Sequence, residues 1–137
     1  HYPLRRQRQM CIRDRSPICP SVGKFEKEVL DIINLVFDEF SFDVFITVNM
    51  ISERQITNIC GLVFNKDNLE EVERASKCHK KVIKKLIENG YYSYRLGIED
   101  MDSFISKDDL FWKSVLKIKE SLDPNHILSE GRYCLKK

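Results

Sequence analysis

Val44-Phe45-Ile46-Thr47-Val48-Asn49-Met50, then the polar Ser52-Glu53-Arg54, then Ile56-Thr57-Asn58-Ile59-Cys60-Gly61-Leu62-Val63-Phe64: the reading of this stretch sets the fold class. In the first run Val44, Ile46, Val48 and Met50 alternate with Phe45, Thr47 and Asn49. That period of two, with its β-branched content, is that of a strand with one buried face. The second run is again rich in β-formers, and so short a polar link between two such runs makes them antiparallel neighbours. Gly61, midway along the second run, marks a bulge or a close backbone approach.

Helical periodicity brackets the pair. Upstream, from about Lys24, the residues Phe25, Val29, Ile32, Ile33, Val36, Phe37 and Phe40 recur at three- and four-residue steps and form one face of an amphipathic helix. Downstream, Asn68 caps a second helix with Glu71 at the capping-box position. Its apolar face is Leu69, Val72, Ala75, His79, Val82, Ile83 and Leu86, and Asn89-Gly90 ends it. A short strand is expected over residues 92–96. Ser106 with Asp109 starts a last helix with Phe111, Val115, Ile118 and Leu122 on its face, stopped by Asp123-Pro124. Strands that neighbour one another without βαβ crossovers predict an α+β fold, an antiparallel sheet with flanking helices.

At 137 residues, 42% hydrophobic and 32% charged, the chain has room for one globular core. No apolar run reaches the roughly 18–20 residues of a membrane span, and no basic-then-apolar leader opens the chain. No membrane partner is expected. The net charge of +2 is unevenly placed: residues 1–15 hold five of the nine arginines and one aspartate, +4 in all, which leaves −2 for the other 122 residues. A basic arm of this kind suggests nucleic acid. However, Arg6-Gln7-Arg8-Gln9-Met10-Cys11-Ile12-Arg13-Asp14 resembles translated sequencing-adapter read-through. Residues 1–15 are therefore expected to be a disordered, artefactual segment, and no nucleic-acid partner is assigned.

The remaining chemistry is sparse. There is no glycine-rich phosphate loop, no HExxH, no GxSxG and no paired carboxylate motif. Cys11, Cys19, Cys60, Cys78 and Cys134 form no CxxC pair and have no histidine at ligand spacing, so no metal site is assigned and free thiols in a reducing, cytoplasmic compartment are expected. Lys80-Lys81 and Lys84-Lys85 lack interleaved aromatic residues and read as a solvated face. His79, on an apolar face, reads as a packed and hydrogen-bonded core histidine.

Gly90-Tyr91-Tyr92-Ser93-Tyr94-Arg95, followed near the end by Leu122-Asp123-Pro124-Asn125-His126-Ile127-Leu128, stands apart. Together with Ser16-Pro17-Ile18-Cys19-Pro20, Phe64-Asn65-Lys66-Asp67, Ala75 and Asp100-Met101, these residues resemble the C-terminal end of FAD-linked oxidoreductases of the vanillyl-alcohol oxidase / p-cresol methylhydroxylase family. The Asp-Pro-Asn turn is shared by many flavin-linked oxidases, whereas Tyr-Arg after Gly-Tyr points to the phenol-oxidising branch. The resemblance covers about residues 16–133. It implies that residues 16–137 are the C-terminal part of a substrate (cap) domain, a ferredoxin-like portion of a larger enzyme. The FAD domain of that enzyme lies N-terminal to everything here and is missing, so the fragment is expected to be inactive alone.

By the same resemblance Tyr94 and Arg95 are the catalytic pair, binding the phenolic oxygen of a small-molecule substrate. Gly131 and Arg132 are the flavin contacts, and the parent is open to forming a homo-oligomer. The physics suits the role: a phenol ionises near pH 10, and a neighbouring guanidinium lowers that by about 1–3 units. The phenolate then drives hydride loss from the carbon of the para substituent. Two departures are visible. Ser129-Glu130-Gly131-Arg132 stands where the family has Asn-Pro-Gly-Lys, and Leu96-Gly97 stands where several phenol oxidases have Thr-His. Two other readings remain open: a flavin-linked 2-hydroxyacid dehydrogenase, which shares the closing turn, and a non-enzymatic α+β ligand-binding module.

Overall fold

A computed structural model describes residues 10–97, 100–106, 108–129 and 132–134, without the side chains of residues 10–14, 102 and 103. The chain divides into two compact units, residues 1–95 and 96–137.

The first unit is built on β4 (Gln55–Asn65). Strand β3 (Phe45–Ser52) pairs antiparallel with one edge of it, from Phe45 opposite Gly61 to Ser52 opposite Gln55. Glu53 and Arg54 form the intervening two-residue turn. On the other edge β1 (Met10–Arg15) and β2 (Ile18–Pro20) follow one another: Met10 to Arg15 lie opposite Asn65 to Cys60, and Ile18 to Pro20 lie opposite Thr57 to Gln55. The antiparallel pair expected from the sequence is present. Gly61 sits in an unbroken ladder on both sides, and the irregularity falls between Met50 and Ser52 instead.

Helices α1 (Gly23–Glu39) and α2 (Leu69–Glu88) cover one face of the sheet. Alternation along β4 sends Cys60, Leu62 and Phe64 to that side. There they form the core with Val29, Ile33, Val36 and Phe37 of α1 and with Ala75, Cys78, Val82 and Leu86 of α2. Both helices end in the same hydrogen-bonded cap, with a left-handed residue just beyond the end. At α1, Ser41 has φ 53° while Phe42 N–H donates to Phe37 O at 3.0 Å and Ser41 N–H to Asp38 O at 3.0 Å. At α2, Gly90 has φ 82° while Tyr91 N–H donates to Leu86 O at 2.8 Å and Gly90 N–H to Ile87 O at 3.0 Å. The Asn68 side chain caps α2 as expected by accepting from Glu70 N–H and Glu71 N–H. Leu69, placed on the buried face by periodicity, is 82% exposed in the first turn of α2.

Residues 10–15 depart from the expectation of disorder. They form β1, whose backbone extends the ladder on the edge of β4 that β2 leaves open, and so gives its N–H and C=O groups partners. Residues 1–9 lie outside the described residues.

The second unit holds a short helix, α3 (Met101–Phe104), and α4 (Leu110–Leu122). The cap of α4 is Asp109, whose carboxylate accepts from Phe111 N–H at 2.8 Å, rather than Ser106. The face expected to be buried is not: Phe111, Ile118 and Leu122 are exposed and Val115 is half-buried, whereas Trp112 is 8% exposed. Trp112 meets Phe104 edge-on at 5.7 Å between ring centroids and Phe111 at 5.0 Å.

Candidate functional site

The Schellman cap of α2 delivers the chain from Gly90 into residues 91–95. The expected strand over residues 92–96 reduces to one bridge, Ser93 opposite Pro17. Around it, Ile18 N–H donates to Tyr92 O at 2.9 Å and Tyr94 N–H to Ser16 O at 2.7 Å. Pro17 has no N–H to give; its carbonyl accepts from Asn58 N–H at 2.9 Å on the β4 side and from the Thr57 hydroxyl at 3.3 Å. Residues 91–94 are thus tied to the sheet through residues 16–18.

Tyr94 and Arg95 leave this strap side by side. Tyr94 is 68% exposed and Arg95 is also exposed. No hydrogen bond or ion pair to a described residue engages either side chain. Of the expected flavin contacts, Gly131 lies outside the described residues. Arg132 is exposed, and its N–H donates to Ser129 O at 3.1 Å. An exposed guanidinium can meet an anionic group, but the described residues make no enclosed cradle for FAD.

A third feature was not legible in the sequence. Tyr91 is 6% exposed, and its hydroxyl donates to Glu28 Oε2 at 2.8 Å, across 63 residues of chain. Burial, and then the Glu28 carboxylate, push its phenol up to about 12. Nearby in the same unit, Glu26 Oε2 accepts from Asn58 Nδ2 at 2.9 Å and from the Cys19 thiol at 3.2 Å. Burial first, then Glu26, push the Cys19 thiol up to about 11. The signal for this cluster was Asn58 itself, a polar residue at an inward position among Ile56, Cys60, Leu62 and Phe64. His79 is buried, with Arg15 Nη2 3.1 Å from its Nδ1. A guanidinium can only donate, so Nδ1 accepts and the ring proton sits on Nε2. Among the described residues no group of three or more His, Cys, Asp or Glu could hold a metal ion, and no helix is long and apolar enough to cross a membrane. Cys19, Cys60, Cys78 and Cys134 are buried.

This fold, an antiparallel sheet with helices on one face, matches the cap domain of p-cresol methylhydroxylase-type flavoproteins. A solved 4-ethylphenol oxidase from Gulosibacter chungangensis, in complex with isoeugenol, matches with a TM-score of 0.81 at 18% identity, over 93% of this chain and 25% of that one. A solved p-cresol methylhydroxylase with substrate bound matches with a TM-score of 0.81 at 21% identity, over 91% of this chain and 24% of that one. Among curated proteins the chain is 30% identical over 118 residues, 86% of its length, to 1'-carboxy-chondrochloren decarboxylase of Chondromyces crocatus. It is 24% identical over 118 residues, 85% of its length, to the 4-cresol dehydrogenase (hydroxylating) flavoprotein subunit of Pseudomonas putida. The chain spans 22% of the length of each of these curated relatives. No family model matches it. The resemblance read in the sequence is borne out, and so is the α+β class.

Proposed function

We propose that this chain is the substrate-facing, C-terminal cap portion of an FAD-dependent oxidoreductase that oxidises para-substituted phenols, with Tyr94 and Arg95 binding the phenolic oxygen. The observation that carries the reading is the exposed Tyr94-Arg95 pair on a strap fixed to the sheet, without a partner among the described residues, in a fold shared with a p-cresol methylhydroxylase and a 4-ethylphenol oxidase. Arg95 stays charged at any working pH and offers several donors in one plane, so it favours the phenolate over the phenol. The Tyr94 hydroxyl donates a second hydrogen bond to the same oxygen. Negative charge on that oxygen is delocalised to the para ring carbon, and the substituent carbon attached there then loses hydride from its C–H bond and leaves a quinone methide. Bound flavin, held mainly by a domain outside this chain, supplies the hydride acceptor; Gly131 and Arg132 are the contacts this chain offers it.

The test is single-turnover flavin reduction by a para-substituted phenol in the flavoprotein that carries this segment. Arg95→Ala should nearly abolish reduction while flavin content stays normal. Arg95→Lys should rescue poorly, since a point charge does not reproduce the planar donors. Tyr94→Phe should slow reduction by roughly 10–150-fold, the loss of one hydrogen bond to a charged oxygen felt in the transition state. Undiminished reduction in Arg95→Ala removes Arg95 from the mechanism and turns the reading towards hydroxyacid substrates.

A further inference from the structure

We infer that Tyr91 is a positioning residue for the Tyr94–Arg95 pair, acting through its hydroxyl on Glu28; this rests on the phenol-binding reading above. The argument begins at the end of α2. Gly90, at φ 82°, turns the chain so that Tyr91 occupies the position after the left-handed residue, where a side chain packs back on the last helical turns. Its ring enters the core beside Leu86, and its hydroxyl reaches Glu28 Oε2 on α1 at 2.8 Å. Tyr91 therefore joins α2, α1 and the strap at one point.

Three residues further on, Tyr94 N–H donates to Ser16 O at 2.7 Å, and Arg95 follows immediately. A segment of so few residues, pinned at both ends, has little freedom to move its terminal side chains. Between the pins, the bonds to residues 16–18 are single backbone links at the sheet edge, the kind that open easily when a neighbouring anchor is lost. The side chains of Tyr94 and Arg95 have no described partner of their own, so their direction is inherited from the backbone that carries them. A shift of about 1 Å at such a pair is enough to weaken its hold on a reacting oxygen. Tyr91 touches neither the substrate nor its two binding residues. It acts by holding their backbone.

Two readouts separate this role from general stability, the first on this 137-residue chain and the second on the flavoprotein that carries this segment. The first is amide hydrogen exchange. Tyr91→Phe keeps the ring and removes only the hydroxyl, so exchange at Tyr94 N–H should accelerate about tenfold while the amides of Cys60 and Leu62 in β4 stay unchanged. Glu28→Gln keeps an acceptor oxygen and should behave as wild type, whereas Glu28→Ala should copy Tyr91→Phe. Equal acceleration throughout β4, or none at Tyr94, overturns the proposal.

The second readout is the ionisation of bound 4-nitrophenol, followed by its phenolate absorbance. Wild type should lower the apparent pKa of the probe, Tyr91→Phe should lose most of that shift, and Glu28→Gln should keep it. A shift in Tyr91→Phe equal to that of wild type overturns the positioning role and leaves the phenol reading standing. A shift unchanged by Arg95→Ala, or absent in wild type, overturns the phenol reading itself and with it the role of Tyr91.

Discussion

Asp123 Oδ1 accepts the backbone N–H of Ile127 at 3.0 Å, four residues along the same chain. Its other oxygen, Oδ2, accepts from Leu128 N–H at 2.9 Å and from the Lys119 ammonium, and Lys119 also donates to Leu128 O. One buried carboxylate thus closes the Asp123-Pro124-Asn125-His126-Ile127-Leu128 turn against the end of α4. The motif that carried the resemblance owes its shape to this side chain.

The Asp123 carboxyl is held down at about 2, by Lys119 first and then, against the opposing effect of burial, by the Leu128 and Ile127 N–H groups. An unfolded aspartate titrates near about 3.9. Because the folded value is the lower one, the stabilisation is complete above about pH 4 and is lost as pH falls towards and through about 2. Urea denaturation between pH 2 and pH 6 should show that loss in wild type. In Asp123→Asn the corresponding slope should be absent.

Ser41 occupies the left-handed position that ends α1, where an L side chain crowds its own backbone. Ser41 is exposed, so its side chain has little packing to lose. Ser41→Gly should stabilise the first unit by about 1 kcal/mol, the relief of that crowding less the added freedom of the unfolded glycine. An unchanged or lower urea midpoint would count against the cap geometry at this end.

Asn58 is fully buried, and its amide donates to Glu26 Oε2. Asn58→Ala should cost about 1.5–3 kcal/mol, the range for a hydrogen bond to a charged group. Asn58→Asp should cost more, because it sets a second carboxylate against Glu26. Equilibrium denaturation measures both, and a near-neutral Asn58→Asp would show that the pair is solvated.

Burial raises the Cys19 thiol to about 11, with Glu26 adding to it, and raises the Cys78 thiol to about 11, with Glu39 adding to it. At pH 8 only about one thiol in a thousand is then ionised, and the thiolate is the reactive form. Iodoacetamide at pH 8 should leave both cysteines unlabelled in the folded chain and label both in urea, as mapped by mass spectrometry. Rapid native labelling of either would contradict its placement.

Deleting residues 1–9 should leave the melting temperature unchanged, since that run carries three arginines and little to bury. Arg15→Ala should lower it. Arg15 is 9% exposed and reaches His79 in the core, and loss of a charged hydrogen bond in such a place costs about 1.5–3 kcal/mol. A melting curve unmoved by Arg15→Ala would return the whole of residues 1–15 to the read-through their sequence resembles.

Local pattern determined much of this protein. The period of two over Val44 to Phe64 and the three-to-four spacing along α1 and α2 report which residues share a face, and those faces meet in the core except at the end of β3, where Val48 and Met50 are exposed. The Asn68 cap and the Gly90 stop were legible because they satisfy backbone groups a few residues away. The Tyr94-Arg95 pair was legible through its motif, and the structure leaves both side chains exposed and without described partners. What periodicity does not carry is whether an apolar stripe is covered: Phe111, Ile118 and Leu122 share a face of α4 and are exposed, while Trp112, off that face, is buried and meets Phe104 edge-on. Contacts between distant residues were equally invisible. Tyr91 with Glu28, Asn58 with Glu26 and Arg15 with His79 are separated by 63, 32 and 64 residues. Packing the helices on the sheet takes water away from Tyr91, Asn58, Arg15 and His79, so only the tertiary structure decides which polar groups must find partners there.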